Sequence, residues 1–544
     1  MMPGRAAAQS GLKVVEPLRE VVPPVVDERG LVNPIDRLLA GYLAEHGVSN
    51  DQPVDDRTFA GRVGMDLIGL RLNEADLAAF VGDDDAGKRD ALVTRLLGDR
   101  RNYTEHWLTF WNDALRNGYR GTGFIDDGRR QITGWLYRAL YENKPFDEFV
   151  RELIDPVEGS EGYVKGIQWR GTVNASQRKE MQAAQSVSQV FLGLNLKCAS
   201  CHNSFVNEWK LEDAYAMAAV FAEQSLEIHR CDKPVGQMAE PRFLFEGLGG
   251  FDAGADAAAR QTALAEMLTD NRNGRLARTI VNRLWAKMMG RGLVEPLDDM
   301  TGEAWAPDLL EWLAGDLVAH GWDVKRTLSV IATSRVYQMR AVAAAGDVGT
   351  SRDLAHGEDA ASDGFVFQGP LVKRMTAEQF VDAVNRLAGV KSAVSDGMLN
   401  TDGRGQGGQW AASVEVLGND VAEHQVRAAL MDVDALQAAM GRSNREQVVT
   451  RRGSAATTLE ALELTNGETL DAILREGGEH WAQRYDGQPA EDLAAGVYRA
   501  ALGREPSGVE LAAATELLGG EVSAEGAADL LWIVTMLPEF QLVY

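Results

Sequence analysis

The stretch NASQRKEMQAAQSVSQVFLGLNLKCASCH, residues 174–202, decides how the first half of the chain folds. Its apolar residues recur at spacings of three and four, the period of one helix face: Met181, Ala184, Val187, Phe191 and Leu194. This spacing predicts a helix that ends just before Cys198. The stretch LEDAYAMAAVFAE, residues 211–223, again has helical spacing. The cysteines are therefore expected in a turn between two helices.

Helical spacing also dominates the second half of the chain. In RLARTIVNRLWAKMMG, residues 275–290, apolar residues repeat every four positions and a glycine suited to a left-handed helix end follows: Leu276, Ile280, Leu284, Met288 and Gly290. Two more helices are predicted within 306–321 and 323–337. Thr376 and Gln379 have the spacing of a capping box, which predicts a helix start.

These patterns predict a mainly α-helical protein with two helical domains and long loops, since no run of alternating strands is present. Glycine and charged residues break the helical period at 116–135 and 155–171, where we expect loops. The expected divisions are an N-terminal extension, a first domain, a connecting segment and a second domain, at 1–32, 33–235, 236–270 and 271–544.

The charge balance excludes some classes of partner. The 544 residues contain 80 Asp and Glu against 55 Lys and Arg, a formal net charge of -25. Such a surface repels nucleic acid and anionic membranes, so we expect no nucleic-acid partner. No stretch approaches the roughly 20 apolar residues of a membrane span. The first residues show no apolar core of a secretory signal, so export is not visible in the chain as it begins.

Cys198, Cys201 and His202 form the Cys-x-x-Cys-His pattern of c-type haem attachment. Two thiols at this spacing can each add to a haem vinyl group, while the adjacent imidazole reaches the iron. In this interpretation Cys198 and Cys201 anchor haem c and His202 is a metal ligand. A redox dithiol or a chance pair in a turn are the simpler alternatives.

A zinc site is a further alternative for the same cysteines. The stretch EIHRC supplies His229 and Cys231, which with Cys198 and Cys201 would complete a tetrahedral set. His202 would then have no role, which counts mildly against zinc.

The second axial position of a haem iron could be filled by histidine or methionine. His106 is the first candidate, because it lies in EHWLTFW, whose aromatic side chains could supply an apolar haem wall. A structural histidine on an aromatic helix face is an equally simple interpretation. Met217 and Met238 are alternatives, although methionine at helical spacing more often fills a core.

Other polar motifs give weaker signals. The pairs Asp126–Asp127 and Asp298–Asp299 could act as acid and base or bind a cation, but solvated loop carboxylates are the simpler interpretation. One set of glycines formally matches a dinucleotide fingerprint without a preceding strand: Gly403, Gly405 and Gly408. One predicted helix is basic and could hold haem propionates or an anionic glycan, although a solvated face is simpler: Arg275, Arg278, Arg283 and Lys287.

Several longer motifs resemble a known pair of bacterial domains. NYTEHWLTFWNDALRN, NASQRKEMQAAQSVSQVFLGLNLKCASCHNSF and LEDAYAMAAVFAE resemble the planctomycete cytochrome-type domain. RTIVNRLWAKMMGRGLVEPLDDM, LLEWLAGDLVAHGWDVKRTLSVIATSRVYQMRAV and NREQVVTRRGSAATTLEALELTNGETL resemble the planctomycete-specific domain that usually follows it. The resemblance covers most of residues 35–540, with the motifs in the same order.

The resemblance implies an exported, periplasmic protein with covalently bound haem c, of a kind often encoded beside sulfatases and polysaccharide-degrading enzymes. The chain departs from the pattern in lacking a visible signal and an additional N-terminal cytochrome domain; a truncated start would explain the first departure. We therefore expect electron transfer or a haem-dependent oxidoreductase, with a redox partner protein and a carbohydrate-derived substrate. The alternative is a zinc-stabilised structural or binding protein without redox activity.

Overall fold

The computed structural model describes residues 14–25, 31–49, 52–117, 125–127, 132–169, 173–343, 365–391, 426–431, 433–519 and 522–544. The prediction of a mainly α-helical protein is confirmed. Within the described residues, no helix combines the length and the apolar character needed to cross a membrane.

Ten helices lie in the first part of the described chain. Several begin where a short polar side chain accepts a hydrogen bond from the first turn, as Asn33 does from the amide of Ile35. Their bounds are α1 Pro34–Glu45, α2 Asp56–Leu67, α3 Glu74–Gly82, α4 Lys88–Gly98, α5 Arg100–Ala114, α6 Thr133–Tyr141, α7 Phe146–Ile154, α8 Gly162–Lys165, α9 Lys179–Leu192 and α10 Leu211–Ala219.

Twelve more helices follow in the described residues, and the local signals predicted for them are confirmed. Gly290 is left-handed, with φ 85°, and Thr376 and Gln379 form a reciprocal capping box. The bounds are α11 Ala257–Thr269, α12 Gly274–Met289, α13 Pro307–Ala319, α14 Val324–Ala332, α15 Ala377–Ala388, α16 Ala435–Ala439, α17 Thr458–Asn466, α18 Glu468–Arg484, α19 Ala490–Leu502, α20 Gly508–Leu518, α21 Ala524–Met536 and α22 Pro538–Gln541.

Short antiparallel ribbons lie in segments where no strand was predicted. The segments 116–135 and 155–171 each contribute one strand, β1 Ile125–Asp127 and β2 Gln168–Trp169, which pair with each other. Strands of two or three residues are too short to show a period of two, so the sequence pattern could not reveal them. The other two pairs are β3 Glu227–Arg230 with β4 Lys233–Met238, and β5 Lys373–Arg374 with β6 Leu542–Val543.

The apolar side chains form two clusters. The larger cluster joins α1–α14 and includes the buried side chains of Phe59, Trp107 and Trp285. It also runs through the segment 236–270, where Phe245 and Leu268 pack into it. The smaller cluster joins α15 to the C-terminal helices. The division of the chain into two domains at 236–270 stays a prediction, and the apolar packing places its own separation later, near α15.

Buried ion pairs connect the two apolar clusters. Asp113 at the end of α5 accepts from Arg445 and Arg452, with N–O distances of 3.2 and 2.7 Å. Glu378 in α15 binds Arg452 through two oxygens, at 2.6 and 2.8 Å, and lies 3.4 Å from Arg442. Because Arg452 contacts both carboxylates, it joins α5 to α15.

Loss of the Glu378 charge should destabilise the protein strongly. In Glu378→Gln, Arg442 and Arg452 would lose a buried countercharge, which costs about 3–5 kcal/mol when one partner of a buried pair is removed. The control is Asp471→Asn, which removes a surface pair with Arg475 whose side chains are 56% and 75% exposed. That change should stay within about 0.5 kcal/mol. Urea unfolding midpoints measure both, and equal effects would contradict the prediction.

The same carboxylate should make stability depend on acid pH. Burial alone would raise the pKa of Glu378, but the charge and hydrogen bonds of Arg452 outweigh it and hold the pKa well below its usual range. A depressed folded pKa stabilises the fold above the unfolded value of about 4.3, and that contribution is lost as the pH falls. Wild-type protein should therefore lose more stability than Glu378→Gln between about pH 5 and 3. Unfolding midpoints across this range test it, and parallel curves would refute it.

Candidate functional site

The CASCH motif lies in a tight turn between α9 and α10, as the helical spacing predicted, but α9 ends at Leu192 and not just before Cys198, because the left-handed Gly193 stops it. Helix α9 ends at the left-handed Gly193, whose carbonyl accepts a hydrogen bond from the amide of Met300 at 2.9 Å. Further along, the carbonyl of Cys198 accepts from the amides of Cys201 and His202, at 3.2 and 3.4 Å. The chain therefore folds back within the motif, and one short turn carries both cysteines and the histidine.

The thiols of the motif are free and accessible. Cys198 is exposed, Cys201 is half-buried, and neither is in a disulfide. Cys231 is also free and exposed, at the tip of the β3–β4 hairpin, and its amide donates to the carbonyl of Cys201 at 2.9 Å. The fold thus brings the third cysteine next to the motif through its backbone.

His202 is held in one tautomer by its neighbour. Its Nδ1 lies 2.8 Å from the carbonyl oxygen of Asn203, an acceptor, so Nδ1 carries the proton and donates it. The lone pair of Nε2 is then available. A backbone carbonyl on the far ring nitrogen is the usual arrangement of a metal-ligating histidine, because it fixes the ring and raises its basicity.

An apolar surface lies beside His202. The ring of Phe205 packs on the imidazole with 4.6 Å between centroids, yet Phe205 is 88% exposed and Val206 is 77% exposed. Two large apolar side chains are therefore exposed beside the turn, where they could contact a bound group.

Polar side chains next to the motif stabilise the turn through hydrogen bonds to the backbone. The carboxamide of Asn203 accepts from the amide of Leu211 at 3.1 Å, and that of Asn207 donates to the carbonyl of Asn195 at 3.1 Å. Tyr215, one turn into α10, is only 1% exposed, and burial next to Cys201 and Asp232 raises the pKa of its phenol. The sequence analysis missed Tyr215, because its helical spacing indicated only a core residue.

The proposed zinc ligands are not gathered into a metal-binding set. Among the residues that the structure describes, no three His, Cys, Asp or Glu side chains are placed to hold a metal ion together. Cys201 and Cys231 are adjacent through their backbones, whereas His229 lies on β3. The zinc alternative stays a prediction that would require these side chains to rearrange.

His106 lies in the interior, where its contacts are with other parts of the fold. Its Nε2 donates to the carbonyl of Asp66 at 3.1 Å, and its ring lies against Gly69. Burial, with the nearby charges of Arg427 and Lys287, lowers the pKa of His106 to about 3. Axial ligation by His106 remains a prediction, and with the Asp66 bond intact it would have to use Nδ1, which lies against Gly69.

The two methionine alternatives differ in exposure. Met217 is fully buried in α10, whereas Met238 at the end of β4 is 61% exposed. Met238 is therefore the more accessible of the two.

The basic helix of the sequence analysis is α12, and its arginines do not form a solvated face. Arg283 is 2% exposed and donates to the carbonyls of Gln189 and Val190, while Arg275 donates to the carbonyl of Leu192 at 2.8 Å. These are carbonyls of the last turn of α9, which have no partner within their own helix. The arginines of α12 therefore cap the helix that leads to the CASCH turn. Arg278 instead pairs with Glu311 at 2.7 Å.

The remaining sequence candidates have structural roles or lie outside the described residues. Asp298 accepts from Gln189 and Arg283, and Asp299 accepts from the amide of Thr301, so the two carboxylates serve separate contacts. The backbone of Asp126 and Asp127 lies in β1, and their side chains fall outside the described part of the structure. The three glycines of the dinucleotide-like pattern lie entirely outside the described residues: Gly403, Gly405 and Gly408.

The fold and the turn define a class: a mainly helical protein that presents Cys-x-x-Cys-His between two helices. Residues 34–225 match the family model PSCyt2, described as a protein of unknown function (DUF1549), and residues 260–518 match PSD1, likewise described as a protein of unknown function (DUF1553). The order of the matches agrees with the resemblance, and the first name hints at a cytochrome-like segment. No curated protein and no solved structure gives a significant match.

The glycine that ends α9 should be more sensitive to substitution than an open glycine. Gly193→Ala forces a side chain into φ 57° and against Met300. Gly247→Ala is the control, because it is also left-handed, at φ 88°, but its new Cβ would have nothing within 4 Å. Both pay the backbone cost, and Gly193→Ala should lose about 1–3 kcal/mol more from overpacking. Denaturant midpoints compare them, and equal losses would contradict the predicted clash.

Proposed function

We propose that this chain is a c-type haem protein, with haem bound covalently through Cys198 and Cys201. The observation that carries the proposal is the hydrogen bond from Nδ1 of His202 to Asn203, which leaves Nε2 free to ligate iron. Two free thiols in the same turn supply the attachment chemistry. The exposed Phe205 and Val206 supply an apolar surface beside it.

Each residue of the turn would then have a distinct part. Cys198 and Cys201 would form the two thioethers, and His202 would bind the iron. When bound, haem supplies a one-electron redox centre whose potential depends on its axial ligands and its burial. The exposed position of the turn favours electron exchange with a redox partner protein, so electron transfer is the activity we propose first.

The biological setting follows from the resemblance. Haem c in relatives of this kind implies an exported, periplasmic protein, and the neighbouring gene classes point to polysaccharide catabolism. An oxidoreductase that takes electrons from a carbohydrate-derived substrate is therefore the enzymatic form of the proposal. The zinc-stabilised protein remains the second candidate, since Cys231 touches the backbone of Cys201.

Covalent haem attachment tests the proposal directly. The chain, exported behind a signal peptide in cells that carry the haem-attachment machinery, should gain the mass of one haem and give a pyridine haemochrome spectrum. Cys198→Ala and Cys201→Ala should each lose a thioether bond, whereas His202→Ala should lose the native iron coordination.

The matched control is Cys231→Ala, which removes the third accessible cysteine but leaves the motif intact. Haem attachment should survive this change, because Cys231 takes no part in the thioethers. A protein with no haem mass but with stoichiometric zinc, lost in Cys231→Ala, would overturn the haem proposal and establish the zinc alternative.

A further inference from the structure

A second cluster of charged side chains lies in the interior, formed by α2, α5, α12, the β5 strand, α15 and the segment 442–452. Five cations and three carboxylates make up this interior charge cluster: Lys287, Lys373, Arg442, Arg445 and Arg452 with Asp66, Asp113 and Glu378. Two adjoining ion pairs, Arg427–Asp382 and Arg101–Glu105, add no net charge. The described cluster is therefore cationic by two charges, inside a chain whose formal net charge is -25.

The carboxylates of the cluster are already engaged. Asp113 is bound by two arginines, and Glu378 is bound bidentately by Arg452. Asp66 accepts from Lys373 at 2.5 Å and from the hydroxyl of Tyr337 at 2.8 Å. The oxygens of each acid therefore accept from a cation or hydroxyl other than the ammonium group of Lys287.

Lys287 is the cation of the cluster that has no carboxylate partner among the described residues. Its side chain is half-buried, and its Nζ makes no hydrogen bond to any residue that the structure describes. The contact that the structure gives the ammonium group is the face of Phe110, 5.3 Å from the ring centroid. Its electrostatic neighbours are two further cations, Arg452 and Lys373, and two carboxylates, Asp113 and Glu378, each of which is already bound to arginine.

The surroundings of Lys287 have the character of an anion site. The pKa of Lys287 is lowered to about 8, chiefly by burial and then by Arg452, so most of the ammonium is still charged at neutral pH. Nearby, His106 donates through Nε2 to Asp66, which leaves Nδ1 without a proton and the ring neutral. The ammonium group has no acceptor among the described residues, and the region has two excess positive charges. An anion with oxygen acceptors would supply both the hydrogen-bond acceptors and the negative charge.

We propose that Lys287 and the adjoining Arg452 bind a small oxyanion with two negative charges, of the sulfate or phosphate class. The excess of two charges favours a dianion over a carboxylate. Lys287 would donate hydrogen bonds to its oxygens, and Phe110 would form an apolar wall beside it. The site is separate from the CASCH turn, and it stands whether or not haem is bound there.

Binding of inorganic sulfate and phosphate tests the proposal. Isothermal titration calorimetry of the whole chain should show saturable binding at constant ionic strength, and acetate should bind more weakly. Lys287→Met should weaken sulfate binding roughly ten- to hundredfold, the range expected for loss of one charge-assisted hydrogen bond. Lys287→Arg keeps the charge and should keep most of the binding.

Thermal unfolding gives an independent readout. Without an anion, Lys287→Met should unfold at a higher temperature than the wild type, because it replaces a half-buried charge that has no acceptor among the described residues with an apolar side chain. Sulfate should then stabilise the wild type by a saturable increment that Lys287→Met lacks, beyond the general effect of sulfate on any protein.

Lys325→Met is the matched control. Lys325 also lies over an aromatic ring, 4.2 Å from the centroid of Tyr103, and its pKa is likewise lowered to about 8. Its Nζ, however, donates to the carbonyl of Leu97 at 2.8 Å, so it has the acceptor that Lys287 lacks. Lys325→Met should lower stability and leave sulfate binding unchanged. Equal binding by wild type and Lys287→Met, or no binding at millimolar sulfate or phosphate, would overturn the proposal.

Discussion

The contact of Arg452 with both Asp113 and Glu378 is the interaction on which the arrangement of the two apolar clusters depends. Helix α5 belongs to the larger cluster and α15 to the smaller one, so this contact crosses from one cluster to the other. A bidentate guanidinium supplies direction as well as attraction, and its burial makes both properties stronger than at a surface. The buried charges are therefore part of what holds the fold together, although charged side chains usually lie at the protein surface.

Helix α12 provides a second long-range contact, which holds the helix before the CASCH turn. Its arginines satisfy the last carbonyls of α9, so the helix end that precedes the cysteines is held by side chains about ninety positions later in the chain. The segment that matches PSD1 thus contributes directly to the position of the motif in the segment that matches PSCyt2. This packing gives a physical reason for the two matched segments to occur in one chain.

Much of the helical framework could be predicted from the sequence, because long amphipathic helices and their caps leave local signals. Helix α9, the left-handed Gly290 and the Thr376–Gln379 capping box were all predicted from residues close together in the chain. The buried state of Arg283 could not be, since the carbonyls it binds belong to another helix. For the same reason the sequence could not single out Lys287. Spacing shows that α12 is basic, but the acids that already bind other cations have partners far away in the chain.

The motif and the interior charge cluster make opposite demands on their surroundings. The CASCH turn has an exposed thiol, a half-buried thiol and an exposed phenyl ring, which leaves room for a large group to be attached there. Lys287 has a single ammonium in a charged interior, which suits a small ion that strengthens an existing network. Lys287 lies on α12 itself and the CASCH turn follows α9, whose end α12 caps, yet the two sites use different residues and different chemistry. Because neither set of contacts includes a residue of the other, single substitutions should separate the proposed haem attachment from the proposed anion binding.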